Sequence, residues 1–191
     1  MGWLHNDTSP AEHGFVSFAP EGKHIRAFWL DGRAMAKKGG KMMLRTAILE
    51  GDKIKGERVL DDDVCTCCLT SSAPLATGPM VIYRDRSPKE IRDIAFTRRA
   101  ATGWTPPALI HADNWFCPGC PVNGASIATH GNLITISRYT VSNNKAQVIL
   151  RLSKDGNMKL GKEIVPDQNE PVGRCATVCT KDSVFTVWIR N

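Results

Sequence analysis

The sequence lacks any apolar run close to the roughly 18 residues that a membrane-spanning helix requires. Its opening residues, MGWLHNDTSP, contain no basic segment followed by an apolar stretch, which is the pattern of a secretory signal. We therefore predict no membrane span and no signal peptide, and the chain as written is expected to be cytoplasmic. Seven cysteines point the other way, because cysteines pair as disulfides mainly in exported proteins.

The sequence also lacks a basic stripe and any known nucleic-acid-reading motif. Its net charge is +6, but the basic residues are scattered, apart from Lys37, Lys38 and Lys41, which lie among glycines. We therefore predict that the protein does not bind nucleic acid. The 191 residues, 42% of them hydrophobic, are enough for one globular domain with its own core.

No segment keeps a helical period for three turns. Short apolar, β-branched runs recur between glycine and proline clusters instead, among them FVSF, HIRAFWL, MMLRTAIL, MVIY, LITIS, QVILRLS and VFTVWI. Runs of this length and composition are typical of strands. The sequence therefore predicts an all-β fold.

These strands repeat at long range. Four similar segments begin 54, 54 and 51 residues apart: AFWLDGR (27–33), VIYRDRS (81–87), TISRYTV (135–141) and TVWIRN (186–191). A second set precedes them: EHGFVSF, CTCCLTS, CPVNGASI and GRCATV. Four short strands in each period of about 50 residues indicate the blades of a β-propeller, with a β-sandwich as the alternative.

The period divides the chain, as one domain spanning 1–191, into about three and a half blades. Their predicted limits are 10–62, 63–115, 116–168 and an incomplete 169–191. A propeller closes with about four to eight blades. We therefore expect a partial propeller, or self-association with another copy that completes the ring.

The distinctive polar and thiol residues are predicted to meet at one end of the blades. In an up-and-down blade, the connection from the second to the third strand lies at the same end as the connection that enters the first strand. The first kind of connection is predicted to carry Asp31, Arg33, Arg84, Asp85, Arg86, Arg138, Tyr139 and Arg190. The second kind, with the start of each first strand, is predicted to carry His5, Asp7, Glu12, His13, Cys65, Cys67, Cys68, His111, Asp113, Trp115, Cys117, Cys120, Asn123, Arg174 and Cys175.

Several motifs together resemble the sialidase-like propellers of bacteria, which carry neuraminidase repeats. They are EHGFVS, WLDGR, VCTCC followed by VIYRDRSPKEIRDI, HADNW followed after four residues by CPVNG, and GR followed after twelve residues by VWI. The resemblance runs from about His5 to Arg190. It implies a six-bladed propeller, of which this chain is roughly the middle half, and relatives that are exported. It also marks SKDGNMKL, from Ser153, as a degenerate Asp-box, a structural turn.

The resemblance further implies a glycan or another anionic small molecule as the ligand. Sialidases use a tyrosine nucleophile, and the family adds a Glu partner, an Asp acid/base and three arginines that bind the substrate carboxylate. The candidates for catalysis are Asp85, Glu12 and Tyr139, and those for ligand binding are Arg33, Arg84, Arg86, Arg138, Arg174, His13 and Asn123. Because the arginine motif of the family is missing, hydrolysis stays open. The alternatives are a non-enzymatic scaffold, a thiol- or metal-binding module, or a truncated inactive homologue.

Two further interpretations limit this set. The same arginines could instead pair with Asp31, Asp85 and Asp93 as structural links, and Tyr83, in a strand, is expected in the core. Trp3, Trp104 and Trp115 are expected to pack within blades, although Trp115 could also stack on a sugar ring.

The cysteines allow three alternatives. In the first, a disulfide joins the cluster of Cys65, Cys67 and Cys68 to Cys117 or Cys120. In the second, the cluster together with Cys117 and Cys120 binds zinc or copper(I), with His111 or His13 as a further ligand. In the third, the thiols are reduced and buried. Cys175 and Cys179 are predicted not to pair, because four strand positions separate their Cα atoms by about 13 Å.

Overall fold

The computed structural model describes residues 4–191, so Trp3 lies outside the described residues. Within that range the chain forms fifteen strands in four antiparallel sheets and a short 3₁₀ helix at Arg33–Ala36, with no α-helix. The all-β prediction is confirmed. In the described part of the chain no helix is long and apolar enough to cross a membrane.

Each sheet is built from consecutive strands. The first sheet contains β1 (His13–Glu21), β2 (His24–Asp31), β3 (Met43–Glu50) and β4 (Lys53–Asp61). The second contains β5 (Ser71–Leu75), β6 (Gly78–Arg84), β7 (Ile94–Ala100), β8 (Gly103–Trp104) and β9 (Ala108–Leu109), the last of which pairs with β7. The third contains β10 (Ser126–His130), β11 (Leu133–Ser142), β12 (Lys145–Ser153) and β13 (Ile164–Asp167), and the fourth contains β14 (Pro171–Cys179) and β15 (Val184–Arg190).

The long-range repeat corresponds to the second strand of every sheet. The four repeated segments fall on β2, β6, β11 and β15. The first strand of each sheet contacts the first strand of the next, so β1 contacts β5, β5 contacts β10 and β10 contacts β14. The structure therefore shows four sheets stacked in chain order. It does not show a closed propeller, and the six-bladed ring and the blade limits remain predictions.

Strand β6 explains how the sheets stack. Successive side chains of a strand point to opposite faces. Val81 and Tyr83 pack with the first sheet, in a core that includes Phe28, Leu30 and Leu44. Met80 and Ile82 pack with the third sheet, in a core that includes Ile134 and Ile136. Because both faces of β6 are covered, its residues Met80, Val81, Ile82 and Tyr83 are fully buried, and Tyr83 is a core residue as predicted.

Several residues that the sequence predicts in the connections between strands lie in strands instead. Asp31, Arg84 and Arg190 are the last residues of β2, β6 and β15, and two others lie further inside a strand. Arg138 and Tyr139 are inside β11, where they pair with Ile149 and Val148 of β12. The strand continues to Ser142 because the turn is made by Asn143 and Asn144, whose φ angles are +50° and +60°. Asparagine tolerates this backbone conformation in two-residue hairpin turns.

The degenerate Asp-box forms a structural turn after β12. The Ser153 hydroxyl donates to Asp155 Oδ1 (2.6 Å), and the same oxygen accepts the backbone N–H of Asn157 (2.8 Å). These bonds close the turn locally, which agrees with the structural role expected for Ser153 and Asp155.

Candidate functional site

A disulfide connects the approaches to the second and third sheets. It joins Cys67, shortly before β5, to Cys120, shortly before β10, with Cα atoms 6.1 Å apart. This bond is the disulfide that the first of the three cysteine alternatives predicts, with Cys120 as the partner of the cluster. Cys65, Cys68, Cys117, Cys175 and Cys179 have free thiols.

Two free thiols are packed beside this disulfide. A hydrogen bond joins Sγ of Cys65 to Sγ of Cys68 at 3.4 Å, and Sγ of Cys65 lies 3.7 Å from Sγ of Cys67. The two cysteines with free thiols, Cys65 and Cys68, are almost fully buried. The backbone fixes this position, because the N–H of Cys65 donates to the carbonyl of Arg84 (3.0 Å) at the end of β6. Four sulfur atoms, two reduced and two oxidised, therefore form one cluster.

The environment of the cluster favours a thiolate at Cys65. The hydrogen bond with Cys68 is the main reason that the pKa of Cys65 is lowered to about 6, and the positive charges of Arg92 and Arg84 act in the same direction. The pKa of Cys68 is raised by that hydrogen bond and by burial. Of the two thiols, Cys65 is therefore the one whose surroundings favour the negative charge.

Arg84 supplies a buried positive charge next to this thiolate. Its Nε donates to the carbonyl of Asn123 (2.7 Å) and an Nη donates to the carbonyl of Tyr139 (2.8 Å), while the other Nη donates to the carbonyl of Arg92. The guanidinium lies 4.7 Å from the ring centroid of Trp115. Within residues 4–191 no carboxylate forms an ion pair with Arg84. Burial lowers the pKa of Arg84, and the negative charge of the neighbouring Cys68 and Cys65 sulfur atoms is the largest effect that raises it again.

The other candidate arginines are mostly held by carboxylates. Arg33 donates two bonds to Asp31 (2.8 and 2.7 Å) and contacts Glu57, and Arg86 donates to Glu90 (3.1 and 2.6 Å). The buried Arg138 donates two bonds to Asp113 (both 2.8 Å) and one to Glu163 (2.6 Å). Bidentate pairs of this kind are the strong ones. These guanidinium groups are engaged by the protein rather than left open to a ligand carboxylate.

Two of the predicted ligand-binding residues, Asn123 and Arg174, take part in hydrogen bonds that involve backbone groups of the protein. The carbonyl of Asn123 accepts from Arg84, its Nδ2 donates to the carbonyl of Val172 (3.1 Å), and its Oδ1 accepts the N–H of Arg174 (2.7 Å). Arg174 is exposed, with φ at +56° in a bulge of β14. Asn123 therefore links the second, third and fourth sheets.

The three predicted catalytic residues have different surroundings. Glu12 is exposed, and its backbone carbonyl accepts the N–H of Gly32 (2.8 Å). Tyr139 is half-buried and lies edge-on to Trp115, with ring centroids 5.4 Å apart, and burial raises its pKa. Asp85 is half-buried, and its pKa is raised to about 6 by burial first and then by repulsion from Asp61 and Asp63. No hydrogen bond joins any two of the three within the described residues.

His13 lines a cleft of about 490 Å³ at the start of the first sheet. Its Nδ1 donates to the carbonyl of Ala11 (2.9 Å), and its Nε2 lies 3.1 Å from Asp7 Oδ2 and 3.5 Å from Asp31 Oδ1. The ring stacks on His5 at 3.9 Å between centroids. The cleft is therefore lined by imidazole and carboxylate groups, which are able to form hydrogen bonds with neutral polar ligands as well as with ions.

Among the residues that the structure describes, two groups of side chains are compact enough to suggest a metal site. His111, Asp113 and Glu163 are close together, but the guanidinium group of Arg138 already donates to both carboxylates. This positive group takes the place that a metal ion would need. In the group of Cys65, Cys67 and Cys68, the disulfide removes Cys67 as a ligand. Structural zinc needs about four ligands. The zinc or copper prediction therefore requires reduction of Cys67 and Cys120, which would make four thiolates available.

Sequence reasoning identified these cysteines and arginines but missed most of their partners. The sequence analysis does not name Glu57, Glu90 or Glu163, although each forms an ion pair with one of the candidate arginines. A usable signal existed for Glu90, which lies four residues after Arg86. None existed for Glu163, which lies 25 residues from Arg138.

Comparisons with known proteins bear on the fold. No protein-family model and no curated protein matches the chain. The chain is similar to a solved protein of unknown function from Dyadobacter fermentans, with a TM-score of 0.60 and 12% identity over 93% of this chain and 63% of that one. It is also similar to a Hadza microbial sialidase, with a TM-score of 0.45 and 10% identity over 94% of this chain and 51% of that one. The chain thus spans less than two thirds of the length of either protein. The likeness to the first protein concerns the fold alone. The TM-score with the second protein is too low to support an argument.

Proposed function

We propose that the protein is an all-β scaffold whose functional group is a thiol–disulfide exchange centre. One observation carries this proposal: the reduced sulfur of Cys65 lies 3.7 Å from the oxidised sulfur of Cys67 and 3.4 Å from the reduced sulfur of Cys68. A nucleophile, an electrophile and a resolving thiol are therefore in contact. This assigns the chain to the thiol-binding alternative rather than to glycan hydrolysis.

The electrostatics of the site support the same role. The thiolate is the attacking species in disulfide exchange, and a thiol with a pKa near the ambient pH attacks most effectively. Cys65, with its pKa lowered to about 6, meets that requirement next to the buried charge of Arg84. Cys175 is a natural contrast, because burial raises its pKa to about 11.

The thiolate can be measured directly by its ultraviolet absorbance at about 240 nm, which does not require a reagent to reach a buried sulfur. We expect one thiolate to titrate near pH 6 in the folded protein. Cys65→Ser removes this step, whereas Cys175→Ser keeps it. A wild-type protein with no thiolate below about pH 8 would contradict the proposal.

Asp85 favours a second function, binding of a glycan or another small polar ligand with acid-assisted hydrolysis. Its half-buried carboxyl forms no ion pair within the described residues, and the pKa of about 6 suits a general acid near neutral pH. Because the side chains of Arg33, Arg84, Arg86 and Arg138 are engaged by the protein, we expect ligand hydroxyls to matter more than a ligand carboxylate.

The test of this second function is hydrolysis of an activated sialoside and of activated neutral glycosides. Activity that is lost in Asp85→Asn and kept in Asp182→Asn, an exposed carboxyl far along the chain, would support it. Absence of turnover with every glycoside by the wild-type protein would remove it.

A further inference from the structure

The molecule contains two Cys-x-x-Cys pairs, one on each side of the same disulfide. Cys65 and Cys68 form the interior pair, and Cys117 and Cys120 form the surface pair, in which Cys120 is exposed and Cys117 is half-buried. The disulfide between Cys67 and Cys120 starts in the interior cluster and ends in the surface pair. Each of its two sulfur atoms thus has a thiol partner at the Cys-x-x-Cys spacing or in direct contact.

We propose that the disulfide between Cys67 and Cys120 is the middle position of a thiol relay that runs from the surface pair to the interior pair. The relay rests on the proposed exchange function and adds its direction and its partner. The partner is a dithiol, either a small molecule or a protein with two adjacent cysteines, that reacts at the exposed Cys120 side.

The inward step requires no outside reagent. The Cys65 thiolate attacks Sγ of Cys67, the bond from Cys67 to Cys120 breaks, and Cys120 leaves as a thiolate. Cys68 then attacks Sγ of Cys65, the bond from Cys65 to Cys67 breaks, and Cys67 leaves as a thiolate. The proton of Cys68 passes through water to Cys120, so that one disulfide, one negative charge and all protons are conserved.

The outward step uses the surface pair. The thiolate of Cys117 attacks Sγ of Cys120, which forms the bond from Cys117 to Cys120 and releases Cys67 as a thiolate. An external dithiol then reduces this surface disulfide by exchange, giving two cysteine thiols while the dithiol becomes a disulfide. Two electrons and two protons pass from the dithiol to the protein.

The surroundings determine which end is open to reagents. Cys65 and Cys68 are 0% and 1% exposed, so an external thiol cannot reach them while the fold is intact. Arg84 is fixed by three carbonyl acceptors and keeps a positive charge next to the interior pair whichever sulfur carries the negative charge. The interior pair therefore exchanges only with Cys67, and the surface pair exchanges with the partner.

When the disulfide moves to either pair, the covalent link between the second and third sheets is lost. The link closes a loop of 53 residues. The non-covalent bonds from Arg84 to the carbonyls of Asn123 and Tyr139 remain. The relay therefore changes how firmly two neighbouring sheets are held without unfolding either one.

Trypsin separates the possible products clearly. Cleavage after arginine gives one peptide, 59–84, that contains Cys65, Cys67 and Cys68, and another, 100–138, that contains Cys117 and Cys120. The present disulfide cross-links the two peptides. A disulfide in the interior pair or in the surface pair leaves each peptide separate and removes two hydrogens from one of them.

The experiment incubates the whole protein at pH 5 to 8 with a limiting amount of dithiothreitol. Acid then stops exchange, free thiols are alkylated in denaturant, and the peptides are weighed by mass spectrometry. We expect both internally oxidised 59–84 and internally oxidised 100–138 to form, and the amount of internally oxidised 59–84 to increase as the pH rises past about 6. Cys65→Ser should abolish the first product, Cys117→Ser should abolish the second, and Cys179→Ser should leave both unchanged.

The outcomes separate the two levels of the proposal. If neither internally oxidised peptide forms in the wild-type protein and no thiolate titrates near pH 6, the exchange function itself is overturned. If internally oxidised 59–84 forms but 100–138 never does, exchange stands and the relay is overturned. The wild-type pH series tests both, even if one variant does not fold.

Discussion

Arg84 is a buried cation whose hydrogen-bond acceptors are backbone carbonyls rather than a carboxylate. The planar guanidinium offers five donors in a fixed arrangement, which a lysine ammonium cannot reproduce. Leaving buried carbonyls without a donor costs about 1–3 kcal/mol each. The residue therefore contributes to stability as well as to the charge of the thiol cluster.

We accordingly expect Arg84→Lys to lower the free energy of unfolding by about 3–5 kcal/mol. Arg86→Lys is the matched control, because the side chain of Arg86 is 37% exposed and, within residues 4–191, forms an ion pair with Glu90 alone. The loss of stability in this variant should be below about 1 kcal/mol. Urea unfolding at pH 7 measures both. Equal losses in the two variants would show that the three carbonyl contacts of Arg84 are not important.

Asp85 makes stability depend on pH. Its pKa rises from 3.8 to about 6 on folding, because burial disfavours the charged form. A raised pKa means that the contribution of the protonated group to stability is complete below about pH 4 and is lost as the pH rises through about 6.

Asp85→Asn should therefore gain stability over the wild-type protein between pH 4.5 and pH 7.5. The expected gain is about 1–2 kcal/mol, reduced from the full linkage value because the group is only half-buried. Urea unfolding at the two pH values measures it, with Asp182→Asn as the control that should show no change. A gain that is the same at both pH values would mean that Asp85 does not titrate in this range.

At the scale of the elements, β6 is the strand of the second sheet whose two faces pack on the first and on the third sheet. Its alternate side chains enter two different cores, so truncation of one side chain affects one interface between sheets. Ile82, on the face toward the third sheet, is fully buried, whereas Ile164 of β13 is 49% exposed.

We expect Ile82→Ala to lower the free energy of unfolding by about 2–4 kcal/mol, because it removes buried methyl groups and leaves a cavity. Ile164→Ala should change it by less than about 0.5 kcal/mol. Urea unfolding monitored by tryptophan fluorescence compares the two. A small effect of Ile82→Ala would argue against the packing of the second sheet on the third.

Strand β11 shows where sequence reasoning about elements failed. Arg138 and Tyr139 align with residues at the ends of β2 and β6, namely Leu30 and Asp31, and Arg84 and Asp85, yet β11 continues beyond them to Ser142. The signal that could have corrected this was the pair Asn143–Asn144, since consecutive residues with positive φ form the tight turns of hairpins. Alignment of repeats predicted the order of strands correctly but not the length of this one.

At the scale of the whole molecule, the two outermost sheets leave apolar side chains uncovered. Phe185, Val187 and Ile189 on β15 are 58%, 63% and 53% exposed, and Phe18 on β1 is 53% exposed. Between neighbouring sheets inside the molecule, comparable faces are covered. Uncovered apolar faces of this kind indicate association.

We therefore expect the protein to self-associate, with the fourth sheet of one copy against the first sheet of another. Sedimentation velocity should show a mass that rises with concentration, and Val187→Asp should shift the population toward monomer. Leu109→Asp is the control, since Leu109 is 44% exposed but lies on β9 of the second sheet, outside the proposed interface. A wild-type protein that stays monomeric at all concentrations would exclude this arrangement.

The sequence by itself determined the all-β class, the order of the strands and the set of chemically distinctive residues. These follow from local features, namely the alternation of apolar residues, the turn residues and the repeat of about 50 residues. It also offered, as one of three alternatives, a bond from the first cysteine cluster to Cys117 or Cys120, and it left open that the arginines pair with acidic residues such as Asp31. The structure contains the bond to Cys120 and the pair of Asp31 with Arg33.

Only the tertiary structure decided what those residues do. The contacts of Arg84 with Asn123 and Tyr139, of Arg138 with Asp113, and of Cys67 with Cys120 span 25 to 55 residues. They depend on how far each sheet is shifted and rotated on the next, which no local pattern records. For that reason the sequence suggested arginines that bind a ligand, whereas the stacked sheets hold most of those arginines by bonds within the protein and bring the sulfur atoms together.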